Sequence, residues 1–363
     1  MAQAADGKVL FFIPDISGFT KFVAETEIKH SRHIIQELLE GLIEANSLGL
    51  QVSEIEGDAI LFCRPGAPPS PGEFIEQARR MFVGFHTYLK RLELHRICQC
   101  GACAGASGLS LKFVAHFGAA SAMQVRDHSK FVGTAVIVAH RLLKNSLQQR
   151  EYLLLTRDLL GASPAAAGGL EAFADGADSY DELGKVEYKV LPLAKYREEV
   201  KVEPSAPFAL RNPQKAMELS RRIEAPMEAV YQTLIDLPGR MRWIDGIRKV
   251  ELPDGRANHV GTRHRCVRDG GDPELVTSDV KVTESTMEIW ETDVKKLLAC
   301  RYLLQRSAPK ATELRVEFFV RGNFIAKLVF RLLLEKKLRK GFEKSLANLA
   351  ALCEEKAPGT FNQ

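Results

Sequence analysis

At 363 residues, with 45% hydrophobic and 26% charged residues, the chain has the composition of an ordinary globular protein and the length of two domains. A net charge of +4 gives no case for a nucleic-acid binder. No apolar stretch approaches the ~18–20 residues of a membrane span and no export signal is visible, so the expectation is a cytoplasmic protein without a transmembrane segment.

In chain order, Val9-Leu10-Phe11-Phe12-Ile13 reads as a strand buried on both faces, and Asp15 at its exit is either a turn or cap residue or a ligand for something bound there. Ser17-Gly18 is expected to open a helix, and helical spacing continues through Ile34, Leu38, Leu42 and Ala45. LQVSEIEGDAILFC reads as two short strands joined by a tight turn at Gly57-Asp58. A second amphipathic helix carries Phe74, Ala78, Met81, Phe82, Phe85 and Leu89 on one face. LSLKFVAHFGAA follows as a strand and VGTAVIVAHRLLKNS as a third helix, an α+β sandwich of helices on a mostly antiparallel sheet. Residues 161–182, rich in Gly and Ala, read as a surface insertion, and Lys189 in VEYKVL as a solvated strand lysine.

The expected domains are 1–196 and 215–356, with a proline-containing linker over 197–214. The second begins with a strand, a helix started at Pro226 and a Trp243 segment. Strands of period-two alternation follow, including HVGTRHRCVRD, LVTSDVKVTES, KKLLACRYLLQ and TELRVEFFVRG. It ends in a long helix with Ile325, Leu328, Leu332, Phe342, Leu346 and Leu349 at helical spacing. A curved sheet gripping such a helix encloses a cavity wherever the helix does not fill it. Trp243 and Trp290 are expected in the core or cavity wall. The run Lys336-Lys337-Leu338-Arg339-Lys340 reads as a solvated helix face, with contact to an anionic membrane as the alternative.

If the strands that end in Asp15 and begin at Asp58 are neighbours, two carboxylates converge at one sheet edge. Like charges that close repel unless a divalent cation neutralises them, and Mg²⁺ or Mn²⁺ held by two carboxylates with substrate phosphates is the expected chemistry. The backbone amides of Ile16, Ser17 and Gly18 could cradle those phosphates. Separately, His95, Cys98, Cys100 and Cys103 form an H-x2-C-x-C-x2-C stretch able to complete a structural Zn²⁺ shell, or simply a reduced cysteine loop. With an odd cysteine count of seven, a disulfide framework is not expected.

FFIPDISGFTKFV, EIEGDAILF, VAHFGAA and FVGTAVIVAHRL stand in the order and spacing of the class III nucleotidyl cyclases, and residues 8–194 resemble that family of adenylyl and guanylyl cyclases. The resemblance implies a ferredoxin-like βαββαβ domain, metal-binding aspartates at Asp15 and Asp58, and a homodimer with two shared sites binding a purine nucleoside triphosphate. Glu54 and Lys130 fall on base-reading positions, where they would read guanine or pair with each other and close the pocket. Arg141 falls on the arginine that stabilises the transferred phosphoryl group. Ile137 stands where the family has an asparagine, and losing one such polar donor typically costs ~10²–10³ in rate. Lys189 is loosely placed near a triphosphate-contacting lysine. Residues 215–355 resemble the START-like superfamily, a helix-grip fold that binds apolar small molecules or lipids. The sequence thus leads to a cyclase-like signalling protein coupled to an apolar-ligand domain, able to form a 3′,5′-cyclic nucleotide if its site is complete. The alternative is a catalytically degenerate relative that binds nucleotide or dimerises.

Overall fold

The computed structural model describes residues 7–26, 28–98, 101–126, 128–164, 170, 172–202, 208–253, 259–268, 271–322 and 324–355. The chain divides into two compact units, Met1–Glu93 with Cys100–Val202 and Leu94–Gln99 with Glu203–Gln363.

In the first unit the elements run β1 (Gly7–Ser17), α1 (Phe19–Ala24), α2 (Ile28–Glu44), β2 (Gln51–Glu56), β3 (Ala59–Pro65), α3 (Pro71–His95), α4 (Gly101–Gly105), β4 (Ser110–Val125), β5 (His128–Val132), α5 (Thr134–Leu142), β6 (Tyr152–Thr156), α6 (Arg157–Ala162), β7 (Ala174–Tyr180) and β8 (Gly184–Pro192). The sheet order is β2-β3-β1-β4-β6-β8-β7, with β5 paired to β4. Its first four strands, with α2 and α3 as crossovers, have the ferredoxin-like arrangement. Among the described residues only β4 and β6 of this sheet pair in parallel; the other pairings are antiparallel.

Strand β1 is covered on both sides, as its unbroken apolar run demands. Leu10 and Phe12 pack with Phe74, Ala78, Met81 and Phe82 of α3 and with Ile34, Leu38 and Leu42 of α2. Val9, Phe11 and Ile13 pack with Ala135 and Ala139 of α5. That second contact needs Gly118, because a Cβ there would lie 2.9 Å from the Cβ of Ala135. The β2–β3 turn uses Gly57 at φ 61, a conformation glycine adopts without strain. The expected surface insertion contains more order than its composition suggests, since Ala174–Tyr180 forms the edge strand β7.

In the second unit the elements are β9 (Pro213–Ile223), α7 (Met227–Ile235), β10 (Ile247–Glu251), β11 (Arg263–Arg268), β12 (Glu274–Val282), β13 (Thr286–Asp293), β14 (Leu298–Ala308), β15 (Ala311–Arg321), α8 (Phe324–Phe330) and α9 (Lys336–Glu355). The strands form one antiparallel sheet in the order β10-β11-β12-β13-β14-β15-β9. Leu346, Leu349, Ala350 and Cys353 of α9 are buried. Asn348 donates to the carbonyl of the buried Trp243 at 3.3 Å, and Phe342 meets Phe318 of β15 edge-on. The α8 half departs from expectation. Ile325, Leu328 and Leu332 share the expected spacing but are 66%, 45% and 76% exposed. Trp243 is buried, whereas Trp290 is half-buried against Phe319 and under Arg301.

Candidate functional site

Strand register brings the two acidic motifs of the first unit together. Asp15 pairs with Ala59, the residue after Asp58, and the Ile16 amide donates to the Asp58 carbonyl at 3.0 Å. The Asp58 carboxyl is held above the usual carboxylate range, first by burial and then by the charge of Asp15, with its backbone hydrogen bond and Lys112 opposing. Asp15 thus lies near enough to disfavour the ionised form of Asp58.

One residue of this rim was not foreseen. Lys112 lies opposite Asp15 across the β1–β4 ladder. Its ammonium is 2.9 Å from Asp15 Oδ2 and donates to the Leu143 carbonyl at 2.8 Å. Both partners are half-buried and keep contact with solvent, Lys112 at 18% and Asp15 at 13% side-chain exposure. Two carboxylates are the donor chemistry that a hard divalent cation prefers. Lys112 already compensates part of the charge such an ion would meet, and it keeps the Leu143 carbonyl as an alternative acceptor.

Of the phosphate cradle expected at Ile16-Ser17-Gly18, the Ile16 amide is already taken. Strand β1 runs on through Ser17, which pairs with Ser110, so the Ile16 amide is committed to Asp58 and the helix opens only at Phe19. Gly18 caps that six-residue helix at φ 90. Ser17 Oγ donates to the Arg150 carbonyl at 3.4 Å.

Glu54 lies on β2 and Lys130, exposed, on β5. Among the described residues they form no ion pair with each other, so the self-closed pocket is not seen within one chain. Arg141 and Ile137 stand one turn apart on α5, Arg141 exposed and Ile137 50% exposed. The Arg141 carbonyl accepts from Tyr180 Oη at 3.2 Å, leaving the guanidinium outward from a well-anchored helix end. His140, between them in sequence, is 3.7 Å from Glu56 beside the β2–β3 turn. Lys189 is 3.1 Å from Asp175 on the adjacent edge strand, an ordinary cross-strand pair.

The expected zinc shell is not assembled by the residues described. Cys100 lies outside them, Cys98 is buried with Gln232 3.4 Å from its sulfur, and Cys103 sits on the short helix α4. Among the described residues no group of three or more His, Cys, Asp or Glu side chains is placed to hold a metal ion.

The second unit conceals a polar cluster that no motif announced. Arg240 and Glu291 are 2% and 1% exposed and form a two-point ion pair, with Arg240 Nη1 at 3.0 Å from Glu291 Oε2. Arg240 Nη1 also lies 3.1 Å from His264 Nε2. Burial, and after it the Arg240 charge, pushes His264 down to about 4 against the pull of Glu291. Burial works to raise Glu291, but Arg240 and His264 outweigh it and hold the carboxylate below its ordinary value. His264 Nδ1 and Trp243 Nε1 are buried without a hydrogen-bond partner among the described residues. The strands supplying this cluster are β11 and β13, so it depends on the assembled sheet.

Residues 214–354 match the model of a family described as polyketide cyclase / dehydrase and lipid transport. The second unit is similar to that family. Residues 35–152 match a family described as a protein of unknown function, DUF2652. An uncharacterized protein of Mycobacterium tuberculosis is 34% identical over 120 residues, covering 33% of this chain. The matched stretch is 56% of that relative's length. Among solved structures, a bacterial light-regulated adenylyl cyclase is 16% identical with a TM-score of 0.40, covering 55% of this chain and 58% of that one. The guanylyl cyclase Cya2 is 15% identical with a TM-score of 0.37, covering 52% and 93%. The guanylyl cyclase domain of the RhoGC fusion protein from the aquatic fungus Blastocladiella emersonii is 18% identical with a TM-score of 0.36, covering 53% and 99%. The ferredoxin-like core itself is read from strand order and register. No helix among the described residues is long and apolar enough to cross a membrane.

Proposed function

We propose that the first unit binds a purine nucleoside triphosphate together with Mg²⁺ or Mn²⁺, and that the second accommodates an apolar small molecule or lipid whose presence is signalled through the same chain. The observation that carries the first half is the meeting of Asp15 on β1 with Asp58 in the turn that leads into the neighbouring strand β3, with the Asp58 carboxyl raised by burial and by its neighbour. Such a pair gains from a divalent ion. When bound, the ion would neutralise triphosphate charge at the carboxylates.

This chain's own groups would do the rest. Lys112 would release Asp15 to the ion while keeping the Leu143 carbonyl. Arg141 and Ile137, outward on α5, suit a site completed between two copies, with Glu54 and Lys130 facing the base. Attack of the ribose 3′-hydroxyl on the α-phosphate, releasing pyrophosphate, is the reaction such a site would perform. With Ile137 in place of a polar donor its rate would be lowered by about 10²–10³. The reading is therefore a nucleotide-binding unit with weak or silent turnover.

Calorimetric titration of Mn²⁺ with each of the four ribonucleoside triphosphates tests it. The expected result is binding of a purine triphosphate by wild type and its loss in Asp58→Asn, with a measurable gain of cyclic product in Ile137→Asn. Binding by neither protein, or equally by both, refutes the assignment.

A further inference from the structure

The last helix divides into two unlike halves. Residues from Ser345 onward pack into the second unit. In α8 and the wide turn that follows it, Arg331–Glu335, the apolar side chains other than the buried Phe330 instead face outward. Phe324 is 75% exposed, Leu328 45%, Val329 48%, Leu332 76%, Leu333 73% and Leu334 48%. Exposed apolar patches rimmed by polar groups mark interaction surfaces.

The charge around this patch selects what covers it. Between Arg321 and Lys344 there are eight Lys and Arg residues against two Glu, a net +6, whereas the whole chain is only +4. The rest of the molecule is thus net negative, and its cationic excess is concentrated beside its most exposed leucines. Glu335 is occupied by Arg331 and Arg339, at 3.4 and 2.9 Å. Lys327, Lys336, Lys337 and Lys340 have no acidic partner among the described residues.

We propose that this half-helix docks the protein on an anionic lipid bilayer, with the leucines and Phe324 in the acyl boundary and the lysines at the headgroups. An amphipathic segment with a basic polar face lies in the interface plane in this way, buried ~5–10 Å. The apolar segment, eleven residues from Phe324 to Leu334, is too short for the ~20-residue span a bilayer requires, so it lies on the membrane rather than through it. A second copy of the chain is the less suitable occupant: a two-fold contact sets each patch against its own equivalent, bringing two +6 segments together. An anionic bilayer matches both the apolar and the cationic part.

The test is flotation of the full chain with vesicles of phosphatidylcholine mixed with phosphatidylglycerol, beside vesicles of phosphatidylcholine alone. The expected result is binding to the mixed vesicles, little to the neutral ones, and weakening as salt rises. Lys336→Gln and Lys337→Gln should each reduce partitioning about five-fold, the equivalent of ~1 kcal/mol per basic residue at the surface. Leu332→Asp with Leu333→Asp should abolish it. These side chains are three-quarters exposed, so the melting temperature of that variant should be unchanged. Equal binding to both vesicle types, or binding to neither, overturns the proposal. So does sedimentation showing a dimer that the leucine variant converts to monomer without any wild-type lipid binding.

Discussion

Arg240 with Glu291 and Lys112 with Asp15 are the same kind of ion pair in two environments. The first pair is 2% and 1% exposed, within the sheet of the second unit. The second is 18% and 13% exposed, at the rim of the first. Inside a protein, each charge is tolerable only while its partner is present, and removing one partner costs about 3–5 kcal/mol. Near water the same contact nets only about 0–1 kcal/mol, because solvent can replace either partner. A deep pair is therefore a structural lock. A rim pair is a site where one cation can be exchanged for another.

The comparison breaks most visibly at Glu291. Glu291→Gln leaves the Arg240 guanidinium buried without a counter-charge, and the second unit should lose roughly 3–5 kcal/mol, or on the order of 10 °C in melting temperature. Arg240→Met combined with Glu291→Leu should cost less than either single change, because no unpaired charge remains. A thermal melt of the three proteins decides the matter. Near-wild-type melting of Glu291→Gln would mean that the pair is hydrated after all.

Acid acts on both units through buried histidines. Burial is the main cause that pushes His86 and His116 in the first unit, and His264 in the second, down to about 4 each. Between about pH 4 and 6.5 the unfolded chain binds protons at these positions that the folded chain does not, so stability is present at neutral pH and lost as pH falls. Each group should account for roughly 2 kcal/mol of loss by about pH 5. Glu291, held below its ordinary value, adds a loss of the same sign at still lower pH. Denaturant titrations at pH 7 and 5 measure the effect, and an unchanged midpoint would show that the histidines are charged in the folded protein.

Much of the scaffold was legible because its signals are local. The apolar run of β1, the Gly57 turn and the α3 face at Phe74, Ala78, Met81 and Phe82 depend only on nearby spacing. Asp15 and Asp58 could be brought together on paper because adjacent motifs tend to pair in space. Lys112 could not, since its meeting with Asp15 depends on the exact register of β1 against β4. Arg240, His264 and Glu291 belong to three separate elements, and nothing in the spacing of their residues announces a cluster. The final helix shows a different limit. Periodicity groups Ile325, Leu328 and Leu332 with Leu346 and Leu349, but the first three are exposed and the last two buried, with the wide turn Arg331–Glu335 between them, so period alone does not say what covers a face.

The smallest expected effects lie at the rim, and they complete the contrast. Asp58→Asn should stabilise the first unit slightly at neutral pH. The folded state holds the Asp58 proton more tightly than the unfolded chain, so ionising this carboxyl opposes folding, and the amide removes that opposition. The gain should be a fraction of a kcal/mol, because a partly exposed carboxyl is screened by water. Lys112→Met should change stability by less than about 1 kcal/mol, far below the change at Glu291. It should also tighten Mn²⁺ binding by up to about five-fold, since no tethered ammonium then competes for Asp15. Chemical denaturation and metal titration of the same protein give both numbers. A Lys112→Met variant as unstable as Glu291→Gln would make the rim pair a structural lock like the buried one, and an exchangeable cation position at Asp15 would have no physical basis.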